Sequence, residues 1–172
     1  MKENSEGLPD RKDLLRRCRA KNKTLLDIGT GPIALIAAKE FNCQVTNIDY
    51  SNAALEETRK EADSAGLAGK ISYEKVDASS LPYQDRNFDI VVCYGALHHN
   101  NPEKRENILR ELLRVAKETV AVSELTRLGF EQIHRASGFT AVDLDWLENR
   151  LSSLGEVTKY PGRMMNVYLC KK

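Results

Sequence analysis

Cysteine is scarce in this sequence, and its spacing excludes several kinds of site. The 172-residue chain has four cysteines, and no two of them form a C-x-x-C pair: Cys18, Cys43, Cys93 and Cys170. Zinc ribbons and dithiol redox motifs use such pairs, so neither is expected, and no metal site is predicted. Three of the four fall in or beside predicted strands, where a small buried hydrophobe is the simpler interpretation. Unpaired thiols of this kind indicate a reducing cytoplasm.

Long apolar runs and an excess of one charge are also lacking. No run approaches the roughly 20 apolar residues of a membrane span, and the polar start, MKENSEGLPD, has no apolar signal-peptide core. Lys and Arg number 26 against 25 Asp and Glu, which gives a formal net charge of +1. Neither a membrane span nor a nucleic-acid partner is therefore predicted. The expectation is a cytoplasmic protein.

The length suits a single domain over residues 1–172, with a tail and a basic helix in 1–23 and the core in 24–172. Asp10 is a plausible N-cap for the basic helix, whose Arg and Lys side chains are read as a solvated face. Beyond it, apolar strands alternate with amphipathic helices. The five predicted strands are TLLDI, CQVTNID, KISYEKVD, FDIVVCYGAL and TVAVSEL, and EVTKYPGRMMNVYLCKK adds an antiparallel hairpin.

This alternation predicts an α/β fold with three layers, doubly wound around a mostly parallel seven-stranded sheet with an antiparallel C-terminal hairpin strand. The intervening helices carry start and stop signals. Pro32 and Pro102 stand at first helical positions, Ser51 or Asn52 is an N-cap, and Gly66 is a stop. The segment TRLGFEQIHRASGF after the fifth strand is too short to predict a large lid.

Ligands in doubly wound sheets bind beyond the carboxyl ends of the strands, so the residues that end the strands are the candidates. The first strand ends in Asp27-Ile28-Gly29-Thr30-Gly31, where glycines allow a tight turn and close approach of a ligand. The second ends at Asp49, about 20 residues past the first glycine, the spacing at which a carboxylate reaches both ribose hydroxyls. The third ends near Asp77, which could accept a hydrogen bond from an exocyclic amine.

The order and spacing of these segments resemble one known family. LLDIGTG, NIDYS, KVDASSLPYQDRNFDIVVCYGALHHN and ILRELLRVAK…TVAVSEL follow the motif order of the class I S-adenosylmethionine (SAM)-dependent methyltransferases, most like the ubiquinone/menaquinone-biosynthesis-type group. The resemblance spans about residues 24–125 and implies a Rossmann-like fold and SAM as cofactor. Implied contacts are Asp27, Gly29, Thr30 and Gly31 with the methionine end, Asp49 with ribose, Tyr50, Asp77 and Ala78 with adenine, and Tyr94 near the sulfonium.

Two other functions stay open. The chain has Ile33 where the family usually has a third glycine, a departure that favours a non-catalytic scaffold that binds SAM or a partner. Gly29-x-Gly31-x-x-Ala34 also fits the looser dinucleotide fingerprint, and Tyr168 and Lys172 have the Tyr-x-x-x-Lys spacing of some nicotinamide oxidoreductases. Little of the chain is left for a second nucleotide-binding half, which argues against an NAD(P)-dependent oxidoreductase.

As a methyltransferase, the chain would align an acceptor for in-line displacement at the methyl group. His98, just past the fourth strand, is the candidate catalytic base or acceptor-orienting residue. Arg127, His134 and Arg135 could meet an anionic acceptor. The short lid segments predict an open pocket, which fits a macromolecular substrate, a small acceptor held loosely, or a protein partner that completes the lid.

Overall fold

A computed structural model describes residues 1–134 and 136–172; Arg135, one of the predicted acceptor contacts, lies outside them. The helices are α1 (Arg11–Arg17), α2 (Pro32–Phe41), α3 (Asn52–Ser64), α4 (Pro102–Val115), α5 (Arg127–Ile133) and α6 (Leu144–Ser152), with a 3₁₀ turn at Leu97–His99. The strands are β1 (Thr24–Ile28), β2 (Gln44–Asp49), β3 (Ile71–Lys75), β4 (Phe88–Tyr94), β5 (Ala116–Leu125), β6 (Glu156–Tyr160) and β7 (Met165–Lys171). No helix in the described part is long and apolar enough to cross a membrane.

The seven strands form one sheet in the order β3-β2-β1-β4-β5-β7-β6. Strands β1 to β5 pair in parallel. Strand β7 pairs antiparallel with both β5 and β6, so it alone runs against the rest. The predicted fold class is confirmed, and the hairpin lies where it was expected. The strand order reverses between β1 and β4, and their carboxyl ends therefore flank the switch point where ligands bind in such sheets.

The helix starts follow from local chemistry. The Asp10 carboxylate accepts from the Asp13 amide at 2.7 Å, and the Ser51 hydroxyl accepts from Ala54. Both α2 and α4 begin with proline, whose missing N–H removes no helical hydrogen bond at that position. The predicted N-caps Asp10 and Ser51 are therefore present, because short polar side chains satisfy the free amides of a first turn.

Each face of the sheet is covered by its own hydrophobic cluster. One cluster combines β4 and β5 with α4, whose Ile108, Leu109 and Leu112 have no exposed surface, and with α6. The other lies on the side of α1 and α2 and includes Leu14 and Ile33. Burying a large aliphatic side chain contributes roughly 1.5–3 kcal/mol. These clusters fix the sheet and so the positions of its strand ends.

One helix was not predicted. The segment after β5 forms α5, capped by the Thr126 hydroxyl, which accepts from the Gly129 amide at 3.1 Å. The helix has only seven residues and carries a glycine, so its periodicity gives little signal. The glycine is required by packing, since a Cβ at Gly129 would lie 2.0 Å from the carbonyl oxygen of Met164.

The four cysteines are buried and form no disulfide in the described residues. Burial raises the pKa of the Cys18 thiol to about 12, and it raises the pKa of Cys93 as well. The thiols are therefore protonated packing groups, as the sequence indicated.

Candidate functional site

The turn after β1 forms one wall of the site. Gly29 has φ +89°, which a residue with a side chain rarely adopts, and a Cβ there would lie 3.1 Å from the Cβ of Ala96. A Cβ at Gly31 would meet no atom of the described residues within 4 Å, so the turn faces open space at that point. The side-chain amide of Asn47 donates to the Gly29 carbonyl at 2.7 Å and holds the turn against β2.

Asp27 lies at the base of this turn and is 3% exposed. Burial raises the pKa of its carboxyl well above the usual range, although the Ala34 amide and the Arg11 charge oppose that shift. The Asn47 side chain donates to its Oδ2 at 3.3 Å. A buried carboxyl of this kind favours a cationic or hydrogen-bonding ligand group beside it.

A cavity of about 70 Å³ opens between the turn and the end of β4. Its lining residues are Arg11, Asp27, Ile28, Gly29, Thr30, Gly31, Pro32, Ile33 and Tyr94. The structure thus brings together the predicted contacts of the methionine end and Tyr94. The cavity has room for a few non-hydrogen atoms, so it suits one end of a ligand whose remainder lies along the open edge.

Arg11 is a cavity residue that the sequence analysis missed. Its guanidinium carbon lies 4.6 Å from the centre of the Tyr94 ring, and its Nε is buried without a hydrogen-bond partner in the described chain. Helix α1 was read as a solvated basic face, and nothing in that pattern separates Arg11 from its neighbours. Its position depends on a tertiary contact, in which the Tyr94 hydroxyl donates to the Pro9 carbonyl at 2.9 Å.

The ends of β2 and β3 form the exposed edge of the site. The Asp49 carboxylate is half-buried, and its Oδ1 accepts from the Ser51 amide at 2.8 Å. Tyr50 beside it is 74% exposed. Ala78, after β3, is buried. These residues lie at the carboxyl ends of β2 and β3, as the sequence predicted. The exposed ring of Tyr50 could cover a flat ligand.

Asp77 carries an ion pair that the sequence did not predict. Its Oδ2 accepts from Lys104 Nζ at 2.7 Å, and its Oδ1 accepts from the Ser79 hydroxyl and amide. The Lys104 ammonium, followed by the Ser79 donors, lowers the pKa of the carboxyl to about 2. Asp77 is thus a fully ionised acceptor at neutral pH.

His98 lies in the 3₁₀ turn after β4 and is 3% exposed. Its Nδ1 donates to Oε2 of Glu124 at 2.8 Å, while Oε1 of that carboxylate accepts from the amides of Leu97 and His98. Glu124 is the penultimate residue of β5 and has no exposed surface. The sequence analysis considered the ends of the first four strands only, and it therefore missed this residue.

The three histidines of the chain meet at this point. One ring nitrogen from each of His98, His99 and His134 lies within 4.8 Å of the other two. Burial, with the neighbouring imidazoles, lowers the pKa of His99 and of His134. The charges of Glu124 and then Asp49 oppose that shift at His99. The absence of a metal site was predicted from cysteine spacing alone, which does not bear on these side chains.

Comparisons with known proteins support the family resemblance. A family model described as a methyltransferase domain matches residues 26–119. Norajmaline N-methyltransferase of Rauvolfia serpentina is 34% identical over 98 residues, 56% of this chain and 33% of that protein. The chain spans 33% to 61% of the length of the curated relatives it matches.

Solved structures share the fold. The [4+2]-cyclase SpnF superimposes with a TM-score of 0.74 at 26% identity, over 86% of this chain and 57% of that one. Magnesium protoporphyrin IX methyltransferase from Synechocystis PCC 6803, solved with bound S-adenosylhomocysteine (SAH), gives a TM-score of 0.74 at 16% identity, over 94% of this chain and 79% of that one. The matched family model covers more than half of the chain, which therefore belongs to the methyltransferase domain family.

Proposed function

We propose that this protein binds SAM and transfers its methyl group to an acceptor. The observation that carries the proposal is the cavity at the switch point. There a glycine turn and a buried carboxyl meet a buried guanidinium nitrogen that has no hydrogen-bond partner among the described residues. That set of groups suits an amino-acid ligand end, which has both a carboxylate and an ammonium. Its place in a chain of the methyltransferase domain family makes the methionine end of SAM the ligand that fits.

Different residues would contact different parts of SAM. Arg11 would hold the carboxylate of the methionine end, because guanidinium groups pair with carboxylates through directed hydrogen bonds. Asp27, Gly29, Thr30 and Gly31 would hold the rest of that end. Along the exposed edge, Asp49 would bind ribose, with Tyr50, Asp77 and Ala78 against adenine. Tyr94 would lie near the sulfonium, with its ring already beside a cation.

Bound SAM would supply an activated methyl group, and the chain's own residues would place the acceptor in line with it. His98 stays the proposed residue that orients or deprotonates the acceptor. Glu124 fixes its ring and leaves Nε2 as the unprotonated nitrogen of the neutral imidazole. The N-methyltransferase relatives make amine nitrogens the first acceptor class to screen. A partner that completes the lid, and a cytoplasmic location, remain proposals.

Titration calorimetry tests cofactor binding. The purified chain is titrated with SAM, SAH and NAD, and the variants Asp49→Asn and Asp63→Asn are compared. SAM and SAH are expected to bind at micromolar levels, and loss of the ribose carboxylate should weaken both by about 10- to 100-fold, the worth of hydrogen bonds to a charged group. Asp63 lies exposed on α3 and its variant should bind like the unmodified chain. Binding of NAD alone would refute the proposal.

The role of Arg11 is tested by comparing SAH with a ligand that lacks its amino-acid end. 5′-Methylthioadenosine has the nucleoside of SAM but no amino-acid end. Arg11→Met is expected to weaken SAH by about 10- to 100-fold and to leave methylthioadenosine unchanged, because only the lost end reaches the guanidinium. Asp49→Asn should weaken both ligands equally. Equal losses for the two ligands in Arg11→Met would place the guanidinium elsewhere.

The two alternative functions make different predictions. Tyr168 is buried in β7, and Lys172 donates from Nζ to the Leu113 carbonyl, so the pair lacks the exposed arrangement an oxidoreductase needs.

A scaffold would bind SAM without transferring its methyl group. Because a [4+2]-cyclase has the same fold, the fold alone is not proof of methyl transfer. Product SAH must therefore be measured with an acceptor panel.

A further inference from the structure

All three histidines of the sequence converge on one point of the fold, although they come from two distant segments. His98 and His99 lie in the 3₁₀ turn after β4, and His134 directly follows α5. One ligating nitrogen from each lies within 4.8 Å of the other two. Imidazole nitrogens in groups of three, with no thiolate or carboxylate among them, are typical ligands for zinc sites that keep one open position.

The buried carboxylate of Glu124 prepares His98 to act as a ligand. It accepts from Nδ1 of His98, so the neutral ring carries its proton there and presents the lone pair of Nε2. A carboxylate behind the second nitrogen is the usual support of a zinc-bound histidine, where it fixes the tautomer and raises ligand basicity. Three backbone amides, of Leu97, His98 and Leu125, hold that carboxylate in place.

The separation of the nitrogens is close to what one ion requires. Nε2 of His98 lies 3.0 Å from Nε2 of His134. Zinc–nitrogen bonds of about 2.0–2.1 Å place two tetrahedral ligands roughly 3.3 Å apart. The pair would therefore open by a few tenths of an ångström around an ion. His99 is exposed, and a rotation of its ring would complete the set.

Aromatic rings pack against the cluster. Phe139 stacks on His99 with centroids 4.4 Å apart, and the ring of Phe130 meets His98 edge-on at 5.9 Å. Buried Arg105 donates to the Ala141 carbonyl at 3.0 Å and also to the Thr140 carbonyl, which anchors the segment that carries Phe139. Apolar contacts of this kind limit water on the side of the ion that they cover.

We propose that His98, His99 and His134 bind one zinc ion, with Glu124 as the hydrogen-bonded support of His98 and the fourth position open. The ligand set selects against magnesium and calcium, which bind through oxygen atoms. This proposal goes beyond methyl transfer, because the site could hold its ion whether or not SAM binds. With the ion in place, His98 is a ligand, and the acceptor meets a Lewis acid instead of a free imidazole.

Zinc binding is measured on the full chain, freed of metal, by competition with a zinc-responsive dye at neutral pH. One ion per chain is expected. His99→Gln and His134→Gln should each weaken zinc binding by at least about 100-fold. Loss of a residue that only supports a metal ligand already costs about 10- to 100-fold in affinity. Both side chains lie near the surface, so the variants are expected to fold. Gln132→Ala, exposed on α5, is the matched control and should bind as the unmodified chain does.

Cobalt replaces zinc in a second measurement that identifies the ligand atoms. Nitrogen ligation gives visible absorption without the near-ultraviolet sulfur-to-cobalt band, whereas the cysteines would give that band. The proposal is overturned by a stoichiometry of zero, by unchanged affinity in both histidine variants, or by a sulfur band. SAH titration of the same samples separates the two proposals, because His99→Gln should lose zinc and keep SAH.

Discussion

The pairing of Asp77 with Lys104 illustrates how a single contact sets the charge of a site residue. The pKa of this carboxyl is about 2 because the ammonium of Lys104 and the donors of Ser79 stabilise its ionised form. Lys104→Met is expected to move the pKa back up toward the usual carboxyl range. Carbon-detected NMR titration of the Asp77 side chain measures this pKa. Lys60→Met, at an exposed position of α3, is the control.

The same pair has a pH dependence with a definite sign. Because the folded-state pKa lies below the unfolded one, the interaction stabilises the fold above the usual carboxyl pKa and is lost as the pH falls towards about 2. The variant without the ammonium should thus lose less stability over that acid range. Both side chains are about half exposed, so the difference is small. An equal acid loss in both proteins would show that the ion pair is absent in solution.

At the scale of elements, the contact of Tyr94 with the chain before α1 holds that helix over the cavity. The phenol donates to the Pro9 carbonyl at 2.9 Å, next to the Asp10 cap. Tyr94→Phe is expected to destabilise the docked helix by about 1 kcal/mol, the net worth of a hydrogen bond. Hydrogen exchange at the Leu14 amide, which bonds to the Asp10 carbonyl, should accelerate about fivefold.

Tyr50→Phe is the matched control for this experiment. Tyr50 is 74% exposed, so loss of its hydroxyl should leave hydrogen exchange in α1 unchanged. If Tyr94→Phe also leaves that exchange unchanged, the phenol does not hold the helix. The result matters for the site, because Arg11 enters the cavity from this helix.

The parts of the site that could be predicted are those that strand order determines. Asp27 and Asp49 lie at the carboxyl ends of β1 and β2, Asp77 follows β3, and parallel strands bring their carboxyl ends to one edge. Arg11, Lys104 and Glu124 could not be found this way. Their roles depend on contacts between segments distant in sequence. The sequence of a basic helix, or of a strand with a glutamate near its end, is the same whether or not such a contact forms.

The fold itself could be predicted almost completely for the whole molecule. Buried strands such as FDIVVCY and caps such as Asp10 and Ser51 have strong local causes. Helix α5 was missed because seven residues with a glycine give little periodic signal. The convergence of His99 and His134 on His98 was missed for a different reason, since it depends on where α5 ends in space.

Strand β7 offers a test of the whole fold. It pairs with β5 over seven residues and with β6 over five, and its Tyr168 has no exposed surface. A chain ended at Arg163 is expected to lose the cooperative unfolding transition, because β5 and β6 lose their common partner. Circular dichroism during urea denaturation measures it. Lys171→Ala, exposed at the strand end, is the control, and a cooperative transition in the shortened chain would contradict the prediction.

The interior place of β7 also affects how the protein is made. On the ribosome the chain emerges from its first residue onward, and β5 leaves the exit tunnel long before residues 165–171 do. Until then the hydrogen-bonding edge of β5 is open to other chains, and β6 has nothing beside it. The sheet can close only once residues 165–171 have left the tunnel, so the open edge of β5 is exposed to chaperones and to aggregation while the intervening segment is made.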